Sequence, residues 1–324
     1  MSTRILCFGR LAVAGFAGFG SVLPRPVPVS AQESAPSAET TVIRNVRVFD
    51  GTRVIPGATV VIRNGLIEAV GANVAAPGGA RVVDGAGRTL LPGFIDSHTH
   101  TVVPTVLEAA LAFGVTTQLD MFTVATLAAQ LRAEQAARRA DARADLLSAG
   151  SVATAPGGHG TQYGVPIPTI SSPDSADAFV RARVAEGSDY IKIIVDDGSA
   201  YGVRIPTLDE ATIRALIAAA HRHGKMAVVH VATLATARQA VAAGADGLVH
   251  LWLDSLPDDA LVRDMAARRT FVVPTLSVLE SVTGVASGGR LEETSGSQRT
   301  SARRSARSSR RTSRVRGRAR RSRR

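Results

Sequence analysis

Cysteine is almost absent: of 324 residues only Cys7 carries a thiol, and it lies in an N-terminal stretch expected to be removed. The mature chain can therefore use neither disulfides nor thiolate chemistry, and any metal site must be built from nitrogen and oxygen donors. Long apolar runs are missing too. The run LAVAGFAGFGSVL is too short and glycine-rich to prefer spanning a bilayer. With Arg4 and Arg10 supplying positive charge and Val29-Ser30-Ala31 fitting small-residue cleavage, residues 1–31 read as a secretory signal. An exported protein, periplasmic or extracellular, is the expectation, with an uncleaved anchor as the alternative.

Acidic residues are scarce at the other end. The formal charge is +11, yet Arg290 to Arg324 alone holds 14 Arg against 2 Glu, so everything before it is close to neutral. The length allows one large domain plus a small one.

After a polar linker at 32–40, short strands with Asn-Gly and Asp-Gly turns predict a small antiparallel, sandwich-like β unit over 41–91. From 92 to 284 strands alternate with helices, which points to a parallel sheet with crossover helices. Strands are expected at FIDSHTH, TTQLDM, LLSAGSVA, DYIKIIV, MAVVHV, GLVHL and FVVPTLSV. Seven such strands predict an α/β fold of the (β/α)8 TIM-barrel type, incomplete by one strand. The clearest helix follows DYIKIIV: Thr207 and Glu210 suggest a capping box, Ile213, Leu216, Ile217 and Ala220 repeat with helical spacing, and Gly224 can close it. Pro257-Asp258-Asp259 suggests another helix start. Residues 285–324 have too few apolar side chains to fold.

The strongest chemical signal is Pro92-Gly93-Phe94-Ile95-Asp96-Ser97-His98-Thr99-His100. Histidines two apart on a strand point to one side and can share a metal ion. His230 ends MAVVH and His250 ends GLVH, where barrel strands deliver side chains to the C-terminal rim. One such histidine is most simply a packed core residue; four on three strand ends are hard to explain by packing. Lys192 interrupts the apolar run YIKIIV, and a lysine buried in a strand is costly unless paired or neutral. Pairing with Asp196 or Asp197 is one reading; reaction of a neutral amine with CO2 is the other.

In this order, the parts from Thr41 to Ser281 resemble the amidohydrolase superfamily, particularly its imidazolonepropionase-like and prolidase-like branch. The resemblance implies two divalent ions, with zinc as first expectation. His98 and His100 would hold the first, His230 and His250 the second, and a carboxylated Lys192 would bridge them. It also implies hydrolysis of amide and related C–N bonds in small or dipeptide-like substrates by metal-activated hydroxide, with Lys192 and His230 as catalytic groups. The family's general base, an aspartate ending the eighth strand, has no counterpart in this sequence; the last acidic residues are Glu292 and Glu293. His159, in the turn Pro156-Gly157-Gly158-His159-Gly160, and Tyr201, after the fourth barrel strand, are candidate substrate contacts, or merely parts of mobile rim loops. His221 and His223 lie in the last turn of a helix, where the helix dipole explains them.

The arginine-rich end has three readings: a polycation for anionic partners, a solvated extension, or a stretch read in a shifted frame. It has no aromatic residues for stacking on bases, so nucleic-acid recognition is not expected. The frame slip is the preferred reading, since the texture breaks just after the seventh strand, and it predicts impaired activity. The competing function is a non-catalytic barrel fragment that binds anionic partners through its tail.

Overall fold

The computed structural model describes residues 40–137 and 142–282 and divides into two compact units, one ending at Pro92 and one beginning at Gly93. The expected signal segment, nearly all of the linker and the basic tail lie outside the described residues.

The first unit is a five-stranded sheet. Strand β1 (Thr40–Phe49) is central, antiparallel to β2 (Val54–Arg63), which pairs antiparallel with β3 (Leu66–Gly71). Asn64 and Gly65 join β2 to β3 with φ of 52° and 78°, the left-handed pair a two-residue hairpin turn requires. The antiparallel expectation stops there. Strands β4 (Arg81–Asp84) and β5 (Thr89–Leu90) run parallel to β1, because the segment after β3 carries the chain back across the sheet before it pairs. Val46, Val48, Ala58 and Val60 form this unit's buried cluster.

The second unit alternates strand and helix: β6 (Phe94–Thr99), α1 (Thr105–Ala112), β7 (Val115–Asp120), α2 (Ala125–Ala136), β8 (Asp145–Ser148), α3 (Ala176–Ala185), β9 (Ile191–Val195), α4 (Glu210–Arg222), β10 (Ala227–Val231), α5 (Leu234–Ala243), β11 (Gly247–Val249), α6 (Asp259–Arg268), β12 (Phe271–Val273) and α7 (Leu276–Val282). All paired strands are parallel, in the orders β6-β7-β8 and β9-β10-β11-β12, and a bridge between Ala153 and Ile193 joins the two groups. Seven parallel strands thus form a partial TIM barrel. Among the described residues β6 pairs only with β7 and β12 only with β11.

Alternation along the strands builds two layers. Ile191, Ile193 and Val195 of β9, Val229 and Val231 of β10, and Leu248 of β11 pack against Phe179, Ile213, Leu216, Ile217 and Val241 of the helices. Each such side chain contributes about 1.5–3 kcal/mol by leaving water. The opposite strand faces turn inward, where Met121, Ala149, Tyr190, Val228 and Val249 fill the barrel. Lys192 and His230 therefore belong to the inner face, one residue out of step with the helix-facing positions.

Two local expectations change. The cap of α4 is Asp209, whose side chain accepts the Thr212 N–H at 2.7 Å, while the Thr207 hydroxyl accepts the Asp196 N–H at 3.1 Å. A shorter carboxylate one residue from the helix outcompetes the more distant box. Gly224 (φ 66°) follows the helix end as expected, and Asp258 caps α6 through the Leu261 N–H. The last expected strand, FVVPTLSV, is extended only over Phe271–Val273; Pro274 cannot continue the ladder, and α7 begins at Leu276. No described helix is long and apolar enough to cross a membrane.

Candidate metal centre

The C-terminal rim gathers five imidazoles into one chain. Ring centroids stand 5.4 Å apart for His98 and His100, 4.6 Å for His98 and His250, 4.5 Å for His230 and His250, and 4.7 Å for His159 and His230. They come from β6, the loop after β8, the end of β10 and the residue following β11. All four histidines expected at the rim are brought together, and His159 joins them.

His250 reaches this cluster by a backbone device. Val249 already faces the barrel interior, so regular alternation would turn residue 250 toward the helices. Instead His250 adopts φ 67°, and its Nδ1 lies 2.7 Å from the hydroxyl of Thr275, itself at φ 47°. Two non-glycine residues in the left-handed region, tied to each other, indicate strain maintained for a purpose. The bond occupies Nδ1 and leaves Nε2 as the free donor atom.

Burial pushes His98 and His250 down to about 2 and His230 down to about 4, with Lys192 and neighbouring imidazoles adding to the effect. His100 is also held below its ordinary value, by desolvation and then by Lys192. These four imidazoles are therefore neutral at pH 7, the form that donates a lone pair to a metal. Buried Nδ1 of His98 and Nε2 of His230 have no hydrogen-bond partner among the described residues. The donor set, imidazole with carboxylate, fits a divalent transition ion.

Lys192 is 3% exposed, and its amine makes no ion pair or hydrogen bond among the described residues. Pairing with Asp196 or Asp197 is thus not what the fold builds. Burial lowers the amine to about 7, opposed by the charge of Asp120. Asp120, ending β7, was not foreseen: its carboxylate accepts the Thr101 N–H at 2.7 Å and the Ser148 hydroxyl at 2.5 Å, holding the chain beside His100. Burial raises this carboxyl to about 6.

Asp196, the residue after β9 and four beyond Lys192, is 1% exposed. Its Oδ2 lies 3.0 Å from His159 Nδ1 and 3.4 Å from His230 Nε2, the latter outside hydrogen-bond geometry, and its Oδ1 accepts the Gly198 N–H. Burial alone would raise this carboxyl, but those contacts hold it far below the usual carboxylate range. The glycines around His159 have a steric reason. A Cβ on Gly158 would stand 2.8 Å from the Pro206 carbonyl oxygen and from the Thr154 hydroxyl, so only glycine lets the loop close down. Tyr201 stands on a 3-10 turn, half exposed, with its phenol raised by burial and then by the charge of Asp196. His221 and His223 lie outside the cluster, paired with Asp246 at 2.8 Å and Asp177 at 3.2 Å.

Asp120 and Thr275 carried no sequence signal beyond lying at strand ends. Asp196 had one: four residues beyond Lys192 on a strand, it shares that side chain's face.

Several known proteins resemble this chain. The alpha 2 subunit of urease from Streptomyces coelicolor is 32% identical over 111 residues, 31% of this chain and 20% of that protein. Imidazolonepropionase from an Arthrobacter species is 48% identical over 50 residues, 15% of this chain and 12% of that protein. A crystal structure of a Xaa-Pro dipeptidase with bound methionine superimposes with a TM-score of 0.64 at 24% identity, covering 76% of this chain and 69% of that one, a likeness of fold. The chain spans a fifth or less of the curated relatives' length. The family model described as "Amidohydrolase family" matches residues 89–310, more than half of the sequence, and the chain belongs to that family.

Proposed function

We propose that the protein is a metal-dependent hydrolase that cleaves a C–N bond in an amide, cyclic amide or dipeptide-like small molecule. One observation carries the reading: orphaned buried nitrogens on His98 and His230 share a rim with the buried amine of Lys192. Such groups are costly in a protein interior unless a ligand satisfies them.

In this reading His98 and His100 would hold one divalent ion, His230 and His250 would contribute to a second, and a carbamate on Lys192 would supply a carboxylate donor. Zinc is the proposed ion, because it accepts imidazole and carboxylate donors with an open position for substrate. Ions bound there would lower the pKa of water from about 15.7 to about 7 and polarise the scissile carbonyl.

The chain's own residues do the remaining work. Burial of Lys192 gives it the neutral amine that attacks CO2, forming a new N–C bond and releasing one proton. Thr275 fixes the orientation of His250, and Asp120 with Ser148 holds the strand end that presents His100. His159 and Tyr201 border the site and contact substrate. The aspartate base implied by the family has no counterpart among the described residues. The basic, apolar and small-residue pattern of residues 1–31 supports export.

The test uses the full chain: metal content by mass spectrometry, then hydrolysis of Xaa-Pro dipeptides and cyclic amides before and after chelation. Co-purifying divalent metal, with hydrolysis lost on chelation and restored by zinc, is the expected outcome. A chain that takes up no metal and hydrolyses none of these substrates would refute the proposal and leave a non-catalytic barrel.

A further inference from the structure

We propose that His159, Asp196 and His230 together hold one divalent cation, so that Asp196 and the loop histidine are metal ligands; the inference rests on the metal-dependent reading above. The family resemblance pairs His230 with His250 for the second ion and gives neither Asp196 nor His159 a ligand role.

Among the described residues, these three are the one set of imidazole and carboxylate groups whose donor atoms all lie within 4.8 Å of one another. They arrive from three segments: the loop after β8, the end of β9 and the end of β10. His230 is 6% exposed, and its Nε2 points at Asp196 Oδ2 across 3.4 Å without forming a hydrogen bond. The ring is thus aimed at the carboxylate and left unsatisfied by it. Asp196 itself is 1% exposed and has no Lys or Arg partner among the described residues.

A carboxylate buried that deeply needs a positive charge close by. Only two species fit between two imidazoles and one carboxylate oxygen: a proton shared with His159, or a cation. Separations of 3.0 and 3.4 Å are those of donors arranged around one small ion at about 2.0–2.2 Å from each. Two imidazoles and a carboxylate suit zinc, iron(II), cobalt or manganese, and they would add His159 and Asp196 to the donors of the second ion proposed above, alongside His250. The surroundings are fixed for this duty: Gly198 N–H holds Asp196 Oδ1, and the Thr154 hydroxyl holds the His159 carbonyl at 2.8 Å. Ligation through Nδ1 of His159 leaves its Nε2–H free for the substrate contact proposed above.

The experiment is zinc titration of the metal-free full chain against a chromophoric chelator, for wild type, Asp196→Asn, His159→Asn and His98→Asn. Asp196→Asn keeps the shape and the Gly198 hydrogen bond, and His159→Asn changes a rim loop, so melting of the metal-free proteins checks that all fold alike. The expected result is one zinc equivalent weakened in both Asp196→Asn and His159→Asn by more than the roughly 10- to 100-fold that loss of an outer partner costs, with that equivalent retained in His98→Asn. Full zinc affinity and stoichiometry in either of the first two variants overturns the inference and makes the pair a proton-sharing dyad. Zinc binding that vanishes in His98→Asn yet is untouched by Asp196→Asn overturns this inference alone, whereas a wild-type chain that takes up no zinc overturns the proposed function with it.

Discussion

Replacing Asp120 by alanine isolates the contribution of one buried carboxylate to the rim. The side chain is fully buried, as are Thr101 and Ser148, whose N–H and hydroxyl it accepts at 2.7 and 2.5 Å. Alanine leaves both donors without their acceptor in a space closed to water, at about 1–3 kcal/mol for each stranded group. The expected loss is therefore about 2–6 kcal/mol, with the lower end favoured if the Ser148 hydroxyl rotates to another acceptor. That is a large part of the roughly 5–15 kcal/mol that holds a domain together. Asp120→Asn is the control: its Oδ1 still accepts from Thr101 and its amide can donate to Ser148, so the loss should stay near 1 kcal/mol. Equilibrium urea unfolding of the metal-free chain, followed by far-UV circular dichroism, reads both values. A wild-type midpoint in Asp120→Ala would refute the hydrogen-bond argument. Equal destabilisation by alanine and asparagine would show that charge near Lys192, not hydrogen bonding to Thr101 and Ser148, is what matters.

Other perturbations follow from the same contacts. Thr275→Val removes the hydroxyl on His250 Nδ1 and should weaken zinc binding about 10- to 100-fold in chelator competition, while Thr275→Ser should retain it. Asp209→Ala should destabilise α4 by about 0.5–2 kcal/mol in thermal unfolding, and Glu210→Gln by much less, because the cap is Asp209 and no capping box forms. Asp177 is held below its ordinary value of 3.8 by Arg222, then His223, with Arg181 adding charge. Its ionised form thus favours the folded state. Wild type should exceed Asp177→Asn in stability at neutral pH, and the gap should close as pH falls from 3.8 through the lower folded-state value. A gap that widens in acid would reverse the sign of that linkage.

The barrel was legible because its local rules agree with its global plan. Apolar runs such as YIKIIV and MAVVHV, separated by helix-period segments, can only be buried strands with crossover helices, and α4 shows its face in Ile213, Leu216, Ile217 and Ala220. The His98/His100 pair was legible because a strand's period of two puts both on one side, whatever surrounds it. Capping was less so, since Asp209 and Thr207 both carry suitable oxygens and only backbone geometry chooses between them.

What the linear order of residues determines about this protein is therefore periodic: which segments are strands, which face each presents, and that several histidines end on one rim. Tertiary structure alone decided the rest, because those features join residues far apart in the chain. Thr275 meets His250 across 25 residues and both need left-handed backbone, Asp120 reaches Ser148 across 28, and Asp196 meets His159 across 37. The direction of β4 and β5 was equally hidden, since a short apolar strand pairs either way and the path of its connection makes the choice. Periodicity is a property of neighbours, whereas a polar network depends on where distant strands come to rest.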